Sequence, residues 1–429
     1  MAYKDIPKSV ENFMQTITEK CGTEHADWAE NFNAAFANTL LTTVKRQADG
    51  TTFLLTGDIP AMWLRDSTAQ VRPYLVVAKE DEELAAMIAG LVKKQFFYIN
   101  IDPYANAFNE TANHAGHQSD HTEMNDWIWE RKYEIDSLCY PVQLAYLVYK
   151  NTGRADQFNA DFLEGVKKIL TVFETEQDHN QSPYVFERDT TRQEDTLIND
   201  GRGAKVVPTG MTWSGFRPSD DACQYGYLVP SNMFAVVILG YLEEIFSQLI
   251  PDEELVIRAR KLKEAIQAGI EKFGHTKNQA GETIFAYEVD GQGNATVMDD
   301  SNVPNLISGP YLGYGQVDDE TYLATRKTLL SPENPYFYSG KFASGIGSSH
   351  TPENYVWPIA LAMEGMTTKD KNEKVRILNQ LVATDGGTHL MHEGFDVNDP
   401  NQYTREWFSW ANMMFCELVM DYFDLRVEK

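Results

Sequence analysis

The sequence predicts an all-α fold, an (α/α)6 barrel (a toroid of two concentric helix rings) with a few short β-hairpins in its loops. Three observations predict it. Amphipathic helices with charged outer faces recur along the chain; helices with few charges, apolar on most sides, fall between them; and each apolar helix follows a polar loop rich in aromatic residues. The loop-plus-helix stretches are residues 57–75, 124–149, 215–242, 302–307, 349–366 and 392–420. Alternation of this kind, about twelve helices in all, suggests an inner ring of apolar helices with the six polar loops gathered at one end of it around one pocket; a two-lobed helical protein is the alternative the pattern leaves open. The spacing of roughly 45 to 90 residues is too uneven for a solenoid of similar repeats. No low-complexity segment or linker rich in Gly, Ser or Pro divides the chain, so residues 1–429 read as a single domain.

The outer helices are the plainest. EDEELAAMIAGLVKKQFFYI (80–99) has acids in its first turn and lysines further along, as the helix dipole prefers. GRADQFNADFLEGVKKILTVFETEQ (153–177) and DEELVIRARKLKEAIQAGIEKF (252–273) follow the same pattern. TTFLLTG (51–57) and TIFAYEVDGQGNATVMDD (283–300) are β-rich, the second with a turn at Asp290-Gly291.

Composition narrows the function. The chain has 37 Lys plus Arg against 63 Asp plus Glu, a formal charge of −26. That field repels nucleic acid and anionic membranes. Aromatic residues make up 12% and often stand beside Asp, Glu, Asn or Arg, a mixture suited to a sugar, with hydroxyls at its edge and C–H groups on its face. The N-terminus shows no signal-like apolar region, and no apolar run approaches the ~18 residues of a membrane helix, so the expected location is cytoplasmic, with no membrane partner. Cys21, Cys139, Cys223 and Cys416 are far apart with no C-x-x-C pair, which points to free thiols in a reducing compartment.

The stretch GFRPSDDACQYGYLVPSNMF (215–234) places Asp220 and Asp221 ahead of an apolar run. An Asp there is an ordinary helix cap, but a cap does not account for two acids with Arg217 and Tyr225 around them. A second acid, Glu393, lies in THLMHEGFD, where Gly394 lets the backbone approach a ligand. Two carboxylates on one rim are the parts needed to hydrolyse a glycosidic bond: one protonates the leaving oxygen, and the other attacks carbon or activates water. In WLRDS (63–67), Arg65 and Asp66 form either a structural ion pair or a donor–acceptor pair for vicinal hydroxyls; His350 and Glu353 in SSHTPENYVWP offer the same alternative. Trp63, Trp127, Trp129, Trp357, Trp407 and Trp410 are core residues or sugar platforms. His117 and His121 have i,i+4 spacing, yet no H-E-x-x-H and no nearby Cys supports zinc, so the segment reads as a polar loop and no metal or other cofactor is expected. Phosphate-binding glycine loops and G-x-S-x-G are absent, which weighs against nucleotide enzymes and serine hydrolases.

Taken in order, GDIPAMWLRDS, GFRPSDDACQYGYLVPSNMF, SSHTPENYVWP and HEGFD…YTREWFSWAN resemble glycoside hydrolase family 125, over nearly the whole chain. The resemblance implies a catalytic (α/α)6 domain that removes terminal non-reducing mannose from α-1,6 linkages, with inversion and without metal. It implies that Asp220 is the general acid, Glu393 the general base acting through water, and Asp221 a neighbour that caps the helix or tunes the acid. It also implies that Arg65, Asp66 and His350 surround the mannose. Arg217, Asn302, Arg405, Trp63 and Trp410 are placed at the substrate by motif position. Three other readings fit the residues alone: a sugar 2-epimerase built on His350 and His389, a non-catalytic glycan binder using the tryptophans, or another inverting glycosidase on the same barrel. The oligomeric state stays open.

Overall fold

The computed structural model describes residues 3–429. Twelve helices alternate between two rings. The outer ring comprises Ala26–Thr42, Glu82–Ile101, Ala160–Glu176, Glu253–Phe273, Glu320–Leu329 and Lys371–Ala383. The inner ring comprises Leu64–Val71 (extended through a 3-10 turn to Ala78), Ile135–Thr152, Val229–Glu244, the single turn Gly309–Leu312, Pro358–Met366 and Ser409–Tyr422. A further helix, Lys8–Cys21, packs on the first outer one. Inner neighbours touch each other: Leu64–Val71 lies against both Ile135–Thr152 and Ser409–Tyr422, so the last inner helix closes on the first. The expected (α/α)6 barrel is therefore the fold.

Composition sorts the two rings. Every residue of Leu64–Val71 is buried, as are nearly all of Ile135–Thr152 and Ser409–Tyr422. Outer helices instead bury one stripe, such as Leu255, Ala259, Leu262 and Ile266 of Glu253–Phe273, against the inner ring. Each inner helix follows a long polar loop, so all six start at the same end of the barrel. Their positive N-terminal dipole ends face that mouth.

Two segments, Glu82–Ile101 and Val229–Leu249, do reach the length and hydropathy of a membrane span, contrary to the sequence reading. Both are mostly buried within the barrel, where the apolar surface packs on neighbouring helices. The predicted helix at 153–177 begins later, at Ala160, because Asn159 caps it by accepting from the Phe162 N–H. Thr52–Leu54 and Thr283–Phe285 are strands as expected. Their partners, Val44–Arg46 and His275–Lys277, are three-residue strands with too little alternation to read. Two three-stranded sheets stand at the mouth, Met62–Trp63 with Ala107–Phe108 and Ile128–Glu130, and Tyr355–Val356 with Gly394–Asp396 and Asp399–Thr404.

Candidate active site

At the mouth of the inner ring lies a cavity of about 140 Å³. Its walls come from five of the six predicted loops. The first loop supplies Trp63, Arg65 and Asp66; the third supplies Pro218, Ser219 and Asp220; the fourth supplies Asn302. His350 and Trp357 come from the fifth, and Glu393, Arg405, Phe408 and Trp410 from the sixth. Larger cavities exist, one of about 970 Å³ beside Arg46 and Met87, but they lie away from this mouth. Chemistry, not size, locates the site: this small cavity gathers side chains from five loops around three acids, Asp66, Asp220 and Glu393.

Neither Asp220 nor Asp221 caps a helix, because the next helix starts only at Val229, after a short strand. They sit on a tight turn instead, pinned by Asp220 N–H to the Arg217 carbonyl (2.9 Å), Arg217 N–H to the Asp221 carbonyl (2.7 Å) and a bridge between Phe216 and Ala222. Asp220 has φ +65°, a left-handed conformation uncommon outside glycine. The turn sends the two acids apart. Asp220 projects to the cavity, with about a quarter of its side chain exposed, while Asp221 is fully buried. Ser349 Oγ (2.6 Å) and the Arg192 guanidinium (2.8 Å) donate to Asp221 Oδ2, and His350 Nδ1 lies 3.1 Å from Oδ1. Burial opposes ionisation of Asp221, yet His350, Arg192 and Ser349 outweigh it and hold the carboxyl below its ordinary value. Burial likewise disfavours the His350 cation, but Asp221, then Glu393 and Asp220, raise its pKa. Asp221 thus fixes His350 from behind rather than capping a helix.

Arg65 organises the acid side. It is buried in the first turn of Leu64–Val71, with Nη1 2.6 Å from Glu134 Oε2 and 3.1 Å from Asp136 Oδ2, Nη2 3.1 Å from Asp220 Oδ1, and Nε 3.4 Å from Asp66 Oδ2. Its guanidinium also lies over the Trp410 ring, 5.6 Å from the centroid. Burial raises the Asp66 pKa to about 6, with Arg65 opposing and Asp220 adding to the rise. Burial pushes Asp220 upward too, but Arg65, a hydrogen bond with Glu134, Lys132 and His350 together hold it well below the usual carboxylate range. Glu134 and Asp136 were not singled out from the sequence. Acids at the start of an apolar helix look like caps, and Arg65, which they serve, is distant in sequence.

Glu393 stands just before the strand Gly394–Asp396, its N–H donating to the Thr404 carbonyl at 3.2 Å and its Oε1 3.6 Å from Arg405 Nη1. Arg405, another left-handed residue at φ +47°, donates through Nε (3.0 Å) and Nη2 (2.5 Å) to Asp58 Oδ1 and lies over the Phe408 ring. Asp58 and Phe408 were also missed, although both stand inside motifs already quoted.

Three expectations are corrected. Arg217 does not line the cavity: the turn directs it to Glu288, 2.6 Å away, where it is buried over the Tyr287 ring. Glu353 is exposed and outside the lining. Gly394 makes room for Trp357 rather than for a ligand, since a Cβ there would lie 3.2 Å from the indole. His117 and His121 lie in a loop away from the cavity, beside Glu130 and Asp189. Several polar atoms on wall residues make no hydrogen bond within the protein, namely Trp63 Nε1, Trp410 Nε1 and Asp66 Oδ2. Buried donors and acceptors normally find partners, and sugar hydroxyls would supply them here.

The sequence model of the family described as metal-independent α-mannosidase, glycoside hydrolase family 125, matches residues 25–420. The chain belongs to this family. It is accordingly a glycoside hydrolase, an α-mannosidase, and the epimerase and glycan-binder readings fall away. A Streptococcus pneumoniae α-mannosidase, solved as a non-productive complex with α-1,6-mannobiose in work on N-linked glycan processing, is 57% identical over 99% of this chain and all of that one, with a TM-score of 0.97. The meiotically up-regulated gene 157 protein of Schizosaccharomyces pombe is 37% identical over 96% of this chain and 85% of its own length. A glucoamylase from Saccharomycopsis fibuligera shares the fold at 12% identity, with a TM-score of 0.57 over 99% of this chain and 98% of that one.

Proposed function

We propose that this α-mannosidase removes terminal non-reducing mannose from α-1,6 linkages, one unit at a time, with inversion at the anomeric carbon. The observation that carries the reading is a cavity too small for an extended glycan, holding Asp220 and Glu393 from two different loops of one mouth. Its 140 Å³ falls below the ~300 Å³ of common ligand pockets and suits a single sugar ring. Asp220 donates the proton to the glycosidic oxygen, and Glu393 takes one from the water that attacks C1. Arg65, Asp66, His350, Asn302 and Arg405 surround the ring and exchange hydrogen bonds with its hydroxyls, with Trp63 and Trp410 as apolar walls. The linkage is supported by the α-1,6-mannobiose bound by the pneumococcal relative, which also supports fragments of N-linked glycans as the source. Four free, buried cysteines support a reducing, cytoplasmic setting.

Proton NMR of α-1,6-mannobiose in the first minutes of reaction tests this. β-Mannose appearing before its α anomer is the expected result. α-Mannose first makes one of the acids a nucleophile and ends the inverting reading; no release ends the linkage reading.

A further inference from the structure

Asp220 presents a problem for an acid catalyst: the groups around it favour its anion, yet it must deliver a proton. The surroundings supply one. Four carboxylates, those of Asp66, Glu134, Asp136 and Asp220, stand within 3.4 Å of the one guanidinium of Arg65, and three of them are almost wholly buried. Arg65 alone is in ion-pair contact with all four, while Lys132, His350 and Arg405 act from farther off, so burial of this many carboxyl groups favours a retained proton. Glu134 is placed to hold one. It ends the loop before Ile135–Thr152 but does not cap that helix. Its Oε2 accepts from Arg65 Nη1 (2.6 Å) and Ser137 Oγ (2.7 Å). Its Oε1 is buried with no N–H or O–H donor, and its carboxyl shares one guanidinium with that of Asp220, Glu134 on Nη1 and Asp220 on Nη2 (3.1 Å). Two buried carboxyl groups on one guanidinium repel each other less when one carries a hydrogen, and the unpartnered Oε1 is the atom with room for it.

We propose that Glu134 holds the proton of the general acid: protonated at Oε1 in the resting enzyme, it donates to Asp220, which passes a proton to the glycosidic oxygen. The inference rests on Asp220 being the acid. As the C1–O bond breaks, its electron pair goes to the leaving oxygen, which gains the proton from Asp220. The Glu134 O–H bond breaks as the Asp220 O–H bond forms. Water adds hydroxide to C1 and gives its proton to Glu393. The turnover ends with Glu134 ionised and Glu393 protonated, and solvent returns one proton to the first and removes one from the second. Glu134 does not line the cavity, so it is a positioning residue of the acid, not a catalytic one.

Burial raises the Glu134 pKa well above the ordinary value against the pull of Arg65, with Asp220 and Asp136 adding to the rise. The charged and titratable groups facing the pair are Arg65, Asp66 and Asp136, with Tyr184 and Cys223 beyond Glu134, and Lys132 and His350 toward Asp220.

The test compares α-1,6-mannobiose with α-mannosyl fluoride, whose leaving group needs little protonation. Glu134→Gln keeps the shape and the Arg65 contact but has no proton to transfer. It is expected to slow the disaccharide roughly 100-fold or more while slowing the fluoride less than about 5-fold, and to move the alkaline limb of kcat/KM to lower pH. Asp136→Asn is expected to show no such split. Equal losses on both substrates, or none on either, overturn the proposal. If Asp220→Asn splits the substrates and Glu134→Gln does not, the Glu134 role alone fails; if Asp220→Asn shows no split, the acid assignment falls as well. Should Glu134→Gln not fold, neutron diffraction of the wild-type enzyme at neutral pH decides: a deuteron on Glu134 Oε1 directed at Asp220 is expected, and its absence overturns the proposal.

Discussion

The two walls of the cavity are built on opposite plans. On the acid wall, Asp220 is joined to Arg65, Glu134, Asp136 and Asp66 in a buried cluster, with Asn106 Nδ2 at 3.5 Å from Oδ1. On the base wall, Glu393 is ion-paired with Arg405 at 3.6 Å and feels His350 only at longer range, and that arginine is committed more closely to Asp58. The difference follows from the tasks assigned. A proton donor with a depressed pKa depends on neighbours that store and deliver hydrogen. A base that works through water needs unoccupied lone pairs, and each direct donor would take one.

The largest break in this comparison is removal of either acid. Asp220→Asn and Glu393→Gln should each lower kcat on mannobiose by about 10² to 10⁴-fold, with thermal unfolding close to wild type. Only Asp220→Asn should recover on α-mannosyl fluoride. Full activity in either variant would remove that residue from the chemistry.

The next test separates two buried arginines. Arg217 and Arg65 are both deeply buried and ion-paired, but only Arg65 reaches the cavity. Arg217→Met leaves buried Glu288 without its charged partner, with only the Gln224 and Tyr225 N–H groups as donors, and should cost about 3–5 kcal/mol in urea unfolding, with kcat/KM of the folded fraction within a few-fold of wild type. A large loss of kcat/KM in well-folded protein would return Arg217 to the substrate.

The smallest effect concerns pH. The Asp66 pKa rises from 3.8 to about 6 on folding, so the folded state binds the proton more tightly. The stability this gives is complete below 3.8 and is lost as pH rises through 6. Asp66→Asn should therefore unfold with a flatter dependence of Tm on pH between about 4 and 7 than wild type. A difference that stays constant across that range would show that Asp66 does not titrate there.

How much of this was legible in the sequence depends on where the stabilising partner lies. Four of the six outer helices carry local caps, Asp81, Asn159, Asp252 and Asp370, each accepting from an N–H within three residues, and three of those four were read from the sequence. The inner helices at Leu64, Ile135, Val229, Pro358 and Ser409 have no side-chain cap at all. The charged groups at the starts of Leu64–Val71 and Ile135–Thr152 pair with each other across the ring, so Arg65 and Asp66 stood out as a motif while Glu134 and Asp136 did not. Arg217 misled for the same reason. It neighbours Asp220 in sequence, but a tight turn separates side chains that a linear reading places together.

Ring closure also sets a time order. Helix Ser409–Tyr422 packs on Leu64–Val71 and Ala26–Thr42, and Glu393 and Trp410 enter the cavity from the same late stretch. A chain still being synthesised can display Asp220 and the arginine cluster but has neither the base nor the closing helix. Catalytic competence therefore requires the last inner helix to dock on the first.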